Sequence, residues 1–272
     1  VPTTFAIRAL LDVCDVLRRR REGDWQTAAS AFLEVAVAAA KTFAARALPV
    51  DGGGIAFRYS TAPEHSYEVI NATALFSGQL QRVVEMTGIR DALFTSSAER
   101  AVEYLKQQRE GPEEVPRWRY YGERMPPHAV ARKFNDLLHE CYTYDGLIDY
   151  EVYGGKQADW IKLEALLRGI GRFLGEDSLS KFLSKATSES KDGRHRWPEL
   201  WGIGYALYVS SRLERMLVVD PAVSETVYRI MLSEYHENGT WLLRPRDPPG
   251  EILPRHVAHV LLGLAWYEFD SE

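Results

Sequence analysis

Four long apolar helical runs, each preceded by a short aromatic connector, constrain the fold of this chain more than any other feature of the sequence. Apolar residues recur at helical spacing over most of the chain, whereas strand-like alternation is confined to four short connectors. The connectors are rich in glycine, arginine and aromatic residues, and they span 51–59, 116–122, 192–197 and 238–244. A unit that recurs with such groups at the same end of a helix gathers them on one face of the fold. We therefore predict a mainly α fold that carries a binding surface at one rim.

The helical runs come in pairs whose members differ in exposure. The apolar spacing predicts helices over 3–20, 24–47, 70–86, 97–109, 131–153, 160–174, 198–215, 221–236 and 254–269. In each pair the first helix is apolar almost all round and must be enclosed, while the second carries more charge and belongs outside. A small residue marks the middle of each first helix, at Ala9, Gly78, Gly146, Ala206 and Gly263. The pairs predict repeats near 1–50, 51–111, 112–175, 190–237 and 238–272.

Alternating enclosed and half-exposed helices at this repeat are typical of a ring of αα-hairpins. We therefore predict one α/α-toroid domain over residues 1–272, built as a five-unit or incomplete ring with short β-like connectors. An α-solenoid that never closes is the alternative. A solenoid, however, is not expected to place aromatic connectors before every inner helix.

Composition and charge exclude several classes of partner. A net charge of −5 and a pI near 5.9 leave no electrostatic footprint for nucleic acid. The basic run Arg18–Arg21 lies at a predicted helix end, where cations suit the helix dipole. No stretch approaches the roughly 18 uninterrupted apolar residues that a membrane span needs. We therefore expect no nucleic acid partner and no membrane span, while the sequence leaves the oligomeric state open.

The cysteines indicate the compartment. Cys14 and Cys141 fall in apolar helical runs without paired spacing, so we expect buried free thiols rather than a disulfide. Free thiols suit a reducing compartment, which predicts a cytoplasmic protein. Export directed by a signal upstream of Val1 is the alternative.

Two kinds of segment carry a resemblance to known proteins. The connectors 51–57 and 238–241 look like the Asp-Gly-Gly/Ser-Trp connectors of α/α-toroid proteins. That superfamily includes six-hairpin glycosidases, uronyl epimerases, polysaccharide lyases and the related terpenoid-cyclase and prenyltransferase toroids. The helix starts 69–75 and 134–140 look most like bacterial toroid proteins associated with polysaccharide biosynthesis. The resemblance covers the whole chain by architecture, and such connectors identify a fold rather than a reaction.

In six-hairpin glycosidases the active site lies where the inner helices begin, so the resemblance places functional groups in the connectors and first helical turns. Sugars present apolar C–H faces and hydroxyl groups, which flat aromatic and multidentate polar side chains bind. Arginines would add bidentate recognition of a uronic-acid carboxylate, a sulfate or a phosphate. We expect substrate contacts from Arg58, His65, Asn71, Trp118, Arg119, Tyr120, Asn135, His195, Trp197, Glu199, Trp201, Arg255, His256 and His259. For each of these residues, a packing role inside the ring is the alternative.

Proton transfer is the chemistry that one enclosed helix suggests. His139 and Glu140 lie in its first turns, and adjacent helical positions point about 100° apart, so we expect only one of them to face the site. His139 shares a stripe with Tyr142, and an imidazole beside a phenol suits proton transfer to or from a sugar. A structural histidine is the alternative. The predicted catalytic residues are His139, Glu140, Tyr59 and Tyr121.

A zinc site is the alternative to chemistry by side chains alone. His256 and His259 are three positions apart, which allows two ligands on one helix face, with Glu140 or Cys141 opposite. Prenyltransferase and lanthionine-cyclase toroids hold zinc inside the ring. This sequence, however, lacks the adjacent Cys-His pair of the lanthionine cyclases. We therefore predict no metal and no cofactor.

The resemblance implies a carbohydrate-active protein in glycan biosynthesis or processing, which acts on an oligo- or polysaccharide as an epimerase, a lyase or a hydrolase. One alternative is a non-catalytic toroid scaffold that binds a glycan or a protein. Another is an isoprenoid- or peptide-modifying cyclase toroid. Hydrolysis would require two facing carboxyl groups about 5 to 10 Å apart. The candidates are Glu64, Glu68, Glu140, Asp145 and Glu199.

Overall fold

The fold is mainly helical, as predicted. The computed structural model describes residues 2–20, 24–60, 62–127, 129, 134–155, 158–174, 198–245 and 252–268. Its helices are α1 Pro2–Arg19, α2 Trp25–Ala44, α3 Ile70–Thr87, α4 Ala92–Gln107, α5 Leu137–Val152, α6 Leu163–Leu174, α7 Leu200–Leu217, α8 Ala222–Tyr235 and α9 Pro254–Glu268. Two short hairpins join them, β1 Leu48–Pro49 with β2 Ile55–Ala56, and β3 His236–Glu237 with β4 Thr240–Trp241. The predicted helices are therefore confirmed, apart from shifts at their ends.

Side-chain capping explains the two largest shifts. The helix predicted from Ser97 begins at Ala92, because the Asp91 carboxylate accepts a hydrogen bond from the Leu93 backbone N–H at 2.8 Å. The helix predicted from Ala131 is described from Leu137, where Asp136 supplies the same kind of cap.

The chain divides into two compact units. The first comprises Val1–Arg109, Arg119–Arg132 and Asp145–Ile161, and the second comprises Glu110–Trp118, Lys133–Tyr144 and Lys162–Glu272. In the first unit α1 packs on α2 and α3, and α3 packs on α4. In the second unit α7 packs on α6, α8 and α9. The predicted single domain and its repeat boundaries stay a prediction.

Three of the five predicted inner helices are buried as the apolar pattern indicates, and two are not. Almost every residue of α3, α5 and α7 is buried, as expected for enclosed helices. By contrast, α1 buries only a stripe that includes Ile7, Leu11 and Cys14, and α9 buries His256, Val260 and Gly263. The first and last predicted inner helices are therefore half-exposed.

Small residues allow close helix crossings within each unit. In the first unit a Cβ on Gly78 would lie 2.6 Å from the Gly146 carbonyl oxygen, so only glycine fits. In the second unit a Cβ on Gly204 would lie 2.7 Å from the Val260 backbone nitrogen. The close crossing of α7 with α9 therefore lies at Gly204.

Two ion pairs of the buried Arg82 side chain tie α3 to α1. The Arg82 guanidinium, which is 4% exposed, donates to Asp12 and Asp15 at 2.6 Å each.

Among the described helices, α2 is the one whose length and composition would permit a membrane crossing. Its most apolar 18-residue window has a mean hydropathy of 1.3, and 28% of that window is buried. It packs on α1, where the Cys14 thiol donates to the Ala29 carbonyl oxygen at 3.1 Å.

Candidate functional site

The first turns of α5, α7 and α9 converge in the second unit. On α5, His139 and Tyr142 are one turn apart, and on α7 Trp201 and Tyr205 are likewise one turn apart. His259 of α9 contacts the rings of Tyr142, Trp201 and Tyr205, at centroid distances of 6.0, 5.9 and 5.1 Å. The close crossing of α7 and α9 at Gly204 sets this approach, because Gly204 lies between Trp201 and Tyr205.

Asp136 orients His139. One carboxylate oxygen of Asp136 accepts from the backbone N–H of His139 at 3.1 Å and from its ring Nδ1 at 2.7 Å. A carboxylate only accepts, so Nδ1 carries the proton and the lone pair of the neutral ring lies on Nε2. The helix cap therefore also fixes the tautomer of a half-buried imidazole, which is the arrangement of a general base held by a carboxylate.

A second imidazole has its tautomer fixed in the same sense. His259 Nδ1 lies 2.7 Å from the Arg255 carbonyl oxygen, which can only accept, so Nδ1 donates. Burial lowers the pKa of His259, and the hydrogen bond to the Arg255 backbone opposes that change. A neutral ring then accepts at Nε2, where the Tyr142 hydroxyl donates at 2.8 Å. Tyr142 and His259 thus form a phenol–imidazole pair through which a proton can move.

Trp201 and Arg255 form a flat, cationic side to this cluster. The Arg255 guanidinium carbon lies 4.6 Å from the centre of the Trp201 ring, within cation–π range. The His256 ring contacts Trp201 edge-on at 5.5 Å, and burial together with Arg255 lowers the pKa of His256. Glu199, which precedes α7, is bonded to Arg244. A planar ring beside a guanidinium can hold the apolar face and an acidic group of a sugar.

Glu140 lies beneath the site in the protein interior. Its carboxylate is fully buried and accepts from the Arg172 guanidinium at 2.8 Å, the Asn135 amide at 3.0 Å and the Tyr144 hydroxyl at 3.3 Å. Burial raises the pKa of Glu140 to about 7, and the charge of Arg172 opposes the rise. The structure therefore separates the adjacent His139 and Glu140 as helical geometry predicts. We assign Glu140 a positioning role.

Trp118 and Asn135 serve the same buried network. The Trp118 side chain is 0% exposed and packs edge-on against Tyr144 at 6.1 Å, while its carbonyl accepts from the Asn135 backbone N–H at 3.0 Å. Asn135 is also buried and donates to Glu140. Both residues hold the connector in place, so we assign them a structural role rather than a substrate contact.

A separate cluster of phenols lies in the first unit. Tyr59 stacks on Tyr67 at 6.2 Å, and Tyr67 meets Tyr121 edge-on at 5.7 Å. His65 contacts both Tyr59 and Tyr67, and Tyr120 packs on Tyr121 at 4.6 Å. Burial and the neighbouring phenols raise the pKa of Tyr67 and of Tyr121. Tyr67 and Tyr121 therefore stay protonated, and these two half-buried phenols are suited to donate hydrogen bonds or a proton.

The other polar candidates of the first unit flank that cluster in sequence. Arg58 bridges Glu68 through the backbone, and Arg119 precedes Tyr120, both with half-buried side chains. Asn71, in the first turn of α3, is 1% exposed, and within the described ranges neither polar atom of its side chain has a hydrogen-bond partner. An unsatisfied buried amide is costly, so Asn71 is the polar group of this unit that most needs an explanation.

The carboxylates required for hydrolysis are mostly engaged elsewhere. Glu68 is buried and accepts from the Tyr104 hydroxyl at 2.8 Å and from the Glu123 backbone N–H at 3.0 Å. Asp145 is buried and bonded to Arg8. Glu64 is exposed. In the described part of the chain no group of three or more His, Cys, Asp or Glu residues could hold a metal ion.

Two predicted residues lie outside the described ones, namely His195 and Trp197. Sequence reasoning missed the role of Asp136, although an Asp three residues before a His at a helix start is a recognisable capping signal. It also missed Tyr205, which lies one turn after Trp201 on a helix that otherwise reads as core. Tyr142 was recognised only as a neighbour of His139.

Comparison with known proteins identifies the fold. No family model and no curated protein matches the sequence. Among solved structures, a glycosyl hydrolase family 88 protein from Bacteroides vulgatus superimposes with a TM-score of 0.51 at 8% identity, over 95% of this chain and 72% of that chain. The fold is an α/α toroid. This likeness confirms the fold class that the paired helices predict.

Two further structures match at lower TM-scores. A cellobiose 2-epimerase from Spirochaeta thermophila DSM 6192 has a TM-score of 0.49 at 12% identity, over 99% of this chain and 87% of that chain. A polysaccharide lyase has a TM-score of 0.48 at 11% identity, over 97% of this chain and 73% of that chain. At these identities the similarity concerns the fold and leaves the reaction to the site residues.

Proposed function

We propose that this chain is a carbohydrate-active enzyme that moves a proton on an oligo- or polysaccharide, as an epimerase or a lyase does. The observation that carries the proposal is the pairing of His139 with Asp136 beside the Tyr142–His259 pair. Both imidazoles have fixed tautomers with Nε2 as the accepting nitrogen. The α/α-toroid fold shared with a glycosyl hydrolase family 88 protein supports a saccharide as the substrate.

The two pairs have complementary tasks in such a reaction. His139 Nε2 accepts a proton from a ring carbon next to a carbonyl or carboxylate group of the sugar. Tyr142 releases the hydroxyl proton that it shares with His259 Nε2 and delivers it either to the opposite face of the same carbon or to the leaving oxygen, which leaves Tyr142 as a phenolate and His139 as an imidazolium. The first outcome inverts a stereocentre and the second eliminates across a glycosidic linkage.

Trp201 and Arg255 orient the substrate in this proposal. The indole face covers the apolar C–H side of the sugar ring, and the guanidinium binds an acidic group beside the reacting carbon. The positive charge of Arg255 next to that acidic group stabilises the negative charge that develops on the substrate when the proton leaves. The substrate class best served by the site is therefore an acidic oligo- or polysaccharide.

Hydrolysis is less well supported by the same residues. Of the predicted carboxylates, Glu68, Glu140 and Asp145 are buried and bonded to protein groups. A glycosidase needs a carboxylic acid and a carboxylate that both reach the substrate. The imidazole and phenol groups at the first turns of α5 and α9 supply proton transfer without that requirement.

The thiols support a proposal for the compartment. Cys14 and Cys141 are buried and unbridged, which confirms the predicted free thiols. We propose a cytoplasmic protein, because buried free cysteines with no disulfide suit a reducing environment.

Hydrogen exchange at carbon tests the proposed reaction. The protein is incubated in D2O with a panel of acidic and neutral oligosaccharides, and NMR spectroscopy follows the loss of individual ring C–H signals. We expect deuterium to enter one ring position, or a new unsaturated product to form, on an acidic substrate. His139→Gln should lower that rate by at least about 10²-fold.

A matched histidine controls for the substitution itself. His236 is exposed in β3 of the same unit, so His236→Gln should leave the rate unchanged. Glycan binding without exchange or turnover, retained in His139→Gln, would instead establish the non-catalytic scaffold. Activity that needs added zinc and an isoprenoid or peptide substrate would establish the cyclase type.

A further inference from the structure

A basic patch lies at one end of the first unit. Arg18, Arg19 and Arg20 are exposed in or just after the last turn of α1. In the described part of the chain no carboxylate pairs with any of them, whereas Asp12 and Asp15 on the same helix are held by Arg82. The helix dipole accounts for a preference for cations there. It does not account for three exposed arginines that have no acidic partner among the described residues.

Two exposed apolar stripes adjoin these arginines. On α1, Val13 and Val16 share a face with Arg20 at positions one and two turns apart, and Val16 is 56% exposed. On α2, Trp25, Phe32 and Val35 also share one face, with Trp25 43% and Val35 57% exposed. Soluble proteins expose single apolar residues commonly, but two such stripes on helices that pack together indicate an interaction surface.

Direct contacts join the arginines to the stripes. The Arg20 guanidinium carbon lies 5.7 Å from the centre of the Trp25 ring, which brings the two stripes together at that end. Arg18 donates to the Met86 carbonyl oxygen at 3.1 Å, which places the end of α3 beside them. Ile89 follows that end and is 48% exposed. The resulting surface has a basic end with an indole ring and an apolar extension along α1 and α2.

We propose that this surface docks on an anionic phospholipid membrane. Arginines next to a tryptophan and an apolar helix face are the composition of a peripheral lipid-binding surface. The cations meet the lipid phosphates while Trp25, Phe32 and Val35 enter the boundary between head groups and acyl chains. Charge complementarity decides for lipid, because Asp24 and Glu34 are the acidic residues among the described positions 18–20 and 24–35, and neither pairs with the arginines.

The packing of α2 favours lying on the membrane over crossing it. Ala29, Ala36 and Ala40 are buried against the rest of the first unit, and the Cys14 thiol bonds to the Ala29 carbonyl oxygen. Crossing would strip these contacts away, whereas docking leaves them intact. Membrane docking is independent of the proposed proton transfer, since its residues lie in the first unit and the His139 cluster lies in the second.

Vesicle flotation tests the proposal. The purified chain is mixed with phosphatidylcholine vesicles, or with vesicles in which a third of the lipid is phosphatidylglycerol. We expect the chain to float with the anionic vesicles at low salt, to stay behind with the neutral ones, and to be released at high salt. Arg19→Gln with Arg20→Gln should lower the partition coefficient by about tenfold or more.

A second pair of variants distinguishes binding through this surface from an effect of net charge alone. Lys41→Gln with Arg46→Gln removes the same charge from exposed positions at the far end of α2, and should leave partitioning within about twofold of the wild type. Trp25→Ser should weaken binding without altering the circular dichroism spectrum. Equal partitioning to neutral vesicles, or equal losses in both charge variants, would overturn the proposal. Concentration-dependent dimers without vesicles that Trp25→Ser abolishes would also overturn it, in favour of a second copy.

Discussion

Asp136 links helix capping to proton transfer. Its Oδ1 accepts from the backbone of His139 and from Nδ1 of the same residue. Asparagine caps helices about as well as aspartate. An amide, however, presents a donor as well as an acceptor, so it no longer selects one tautomer of the ring. Asp136 is therefore a residue at which stability and turnover can be separated.

We expect Asp136→Asn to lower turnover by about 10²-fold or more while changing the free energy of unfolding by less than about 1 kcal/mol. The measurements are the rate of hydrogen exchange at carbon and chemical denaturation. Asp91→Asn is the matched control, because Asp91 caps α4 in the other unit. Turnover that survives in Asp136→Asn would remove Asp136 from the mechanism.

Glu140 couples unfolding of the chain to pH. Its folded-state pKa of about 7 lies above the usual 4.5, because burial disfavours the charged form. A raised pKa means that the stabilising contribution is fully present below about pH 4.5 and is lost as the pH rises through 7. Stability therefore falls towards alkaline pH on account of this group.

We expect the free energy of unfolding of the wild type to decline by about 2 to 3 kcal/mol more between pH 5 and pH 8 than that of Glu140→Gln. If Arg172 needs a charged partner, Glu140→Gln is also less stable than the wild type at every pH. The test is therefore how steeply the free energy of unfolding changes with pH in each protein. Urea unfolding at several pH values provides the measurement. Glu225→Gln, at an exposed position, should keep the wild-type slope. Parallel slopes in wild type and Glu140→Gln would contradict this account.

The crossing of α7 and α9 positions His259 against Trp201. Gly204 permits it, since any Cβ there would meet the Val260 backbone nitrogen at 2.7 Å. Backbone atoms cannot move aside as a flexible side chain can, so the two helices would have to separate. The site and the packing of the second unit thus depend on the same glycine.

We expect Gly204→Ala to destabilise the protein by about 1 to 3 kcal/mol and to reduce turnover. Gly171→Ala is the opposite case, because a Cβ on Gly171 of α6 meets nothing within 4 Å. That change should stabilise by up to about 1 kcal/mol through helix propensity. Thermal unfolding compares the two variants directly. A stabilised Gly204→Ala would show that the crossing is looser than described.

Helix ends show where local sequence signals suffice. Pro254 and the run after Val69 begin helices as predicted. The start of α4 was predicted five residues late, at Ser97. Asp91, whose carboxylate caps the helix, is the signal that marks the true start. A cap depends on one side chain and one N–H, so it is readable from sequence once the right residue is considered.

The α/α-toroid class was predictable because enclosed helices leave a strong trace, an apolar surface all round. The roles of single residues were less predictable from the sequence. Glu140 was predicted to be catalytic and Trp118 to contact substrate, yet both are buried. Glu140 bonds to Arg172, 32 positions away in the sequence, and Trp118 packs on Tyr144. Such pairings depend on how distant segments pack, which helical periodicity does not report. The grouping of His139 with Tyr142 followed from spacing along one helix, whereas their contact with His259 did not.

The free thiols give a test of the whole folded chain. Cys14 and Cys141 are both buried, and burial raises the pKa of Cys14 above its usual range. We expect both thiols to resist a thiol reagent such as Ellman's reagent until the chain unfolds, and reductant to leave the unfolding midpoint unchanged. Rapid reaction of both thiols in the native protein would contradict the described burial.

The double duty of one Asp136 oxygen sets a thermal ceiling on activity. Helix ends open at far lower free energy than whole domains, and fraying of the first turn of α5 would set the imidazole loose. Warming should then stop the proposed reaction while the circular dichroism spectrum is still that of the folded chain, and cooling should restore the reaction at once.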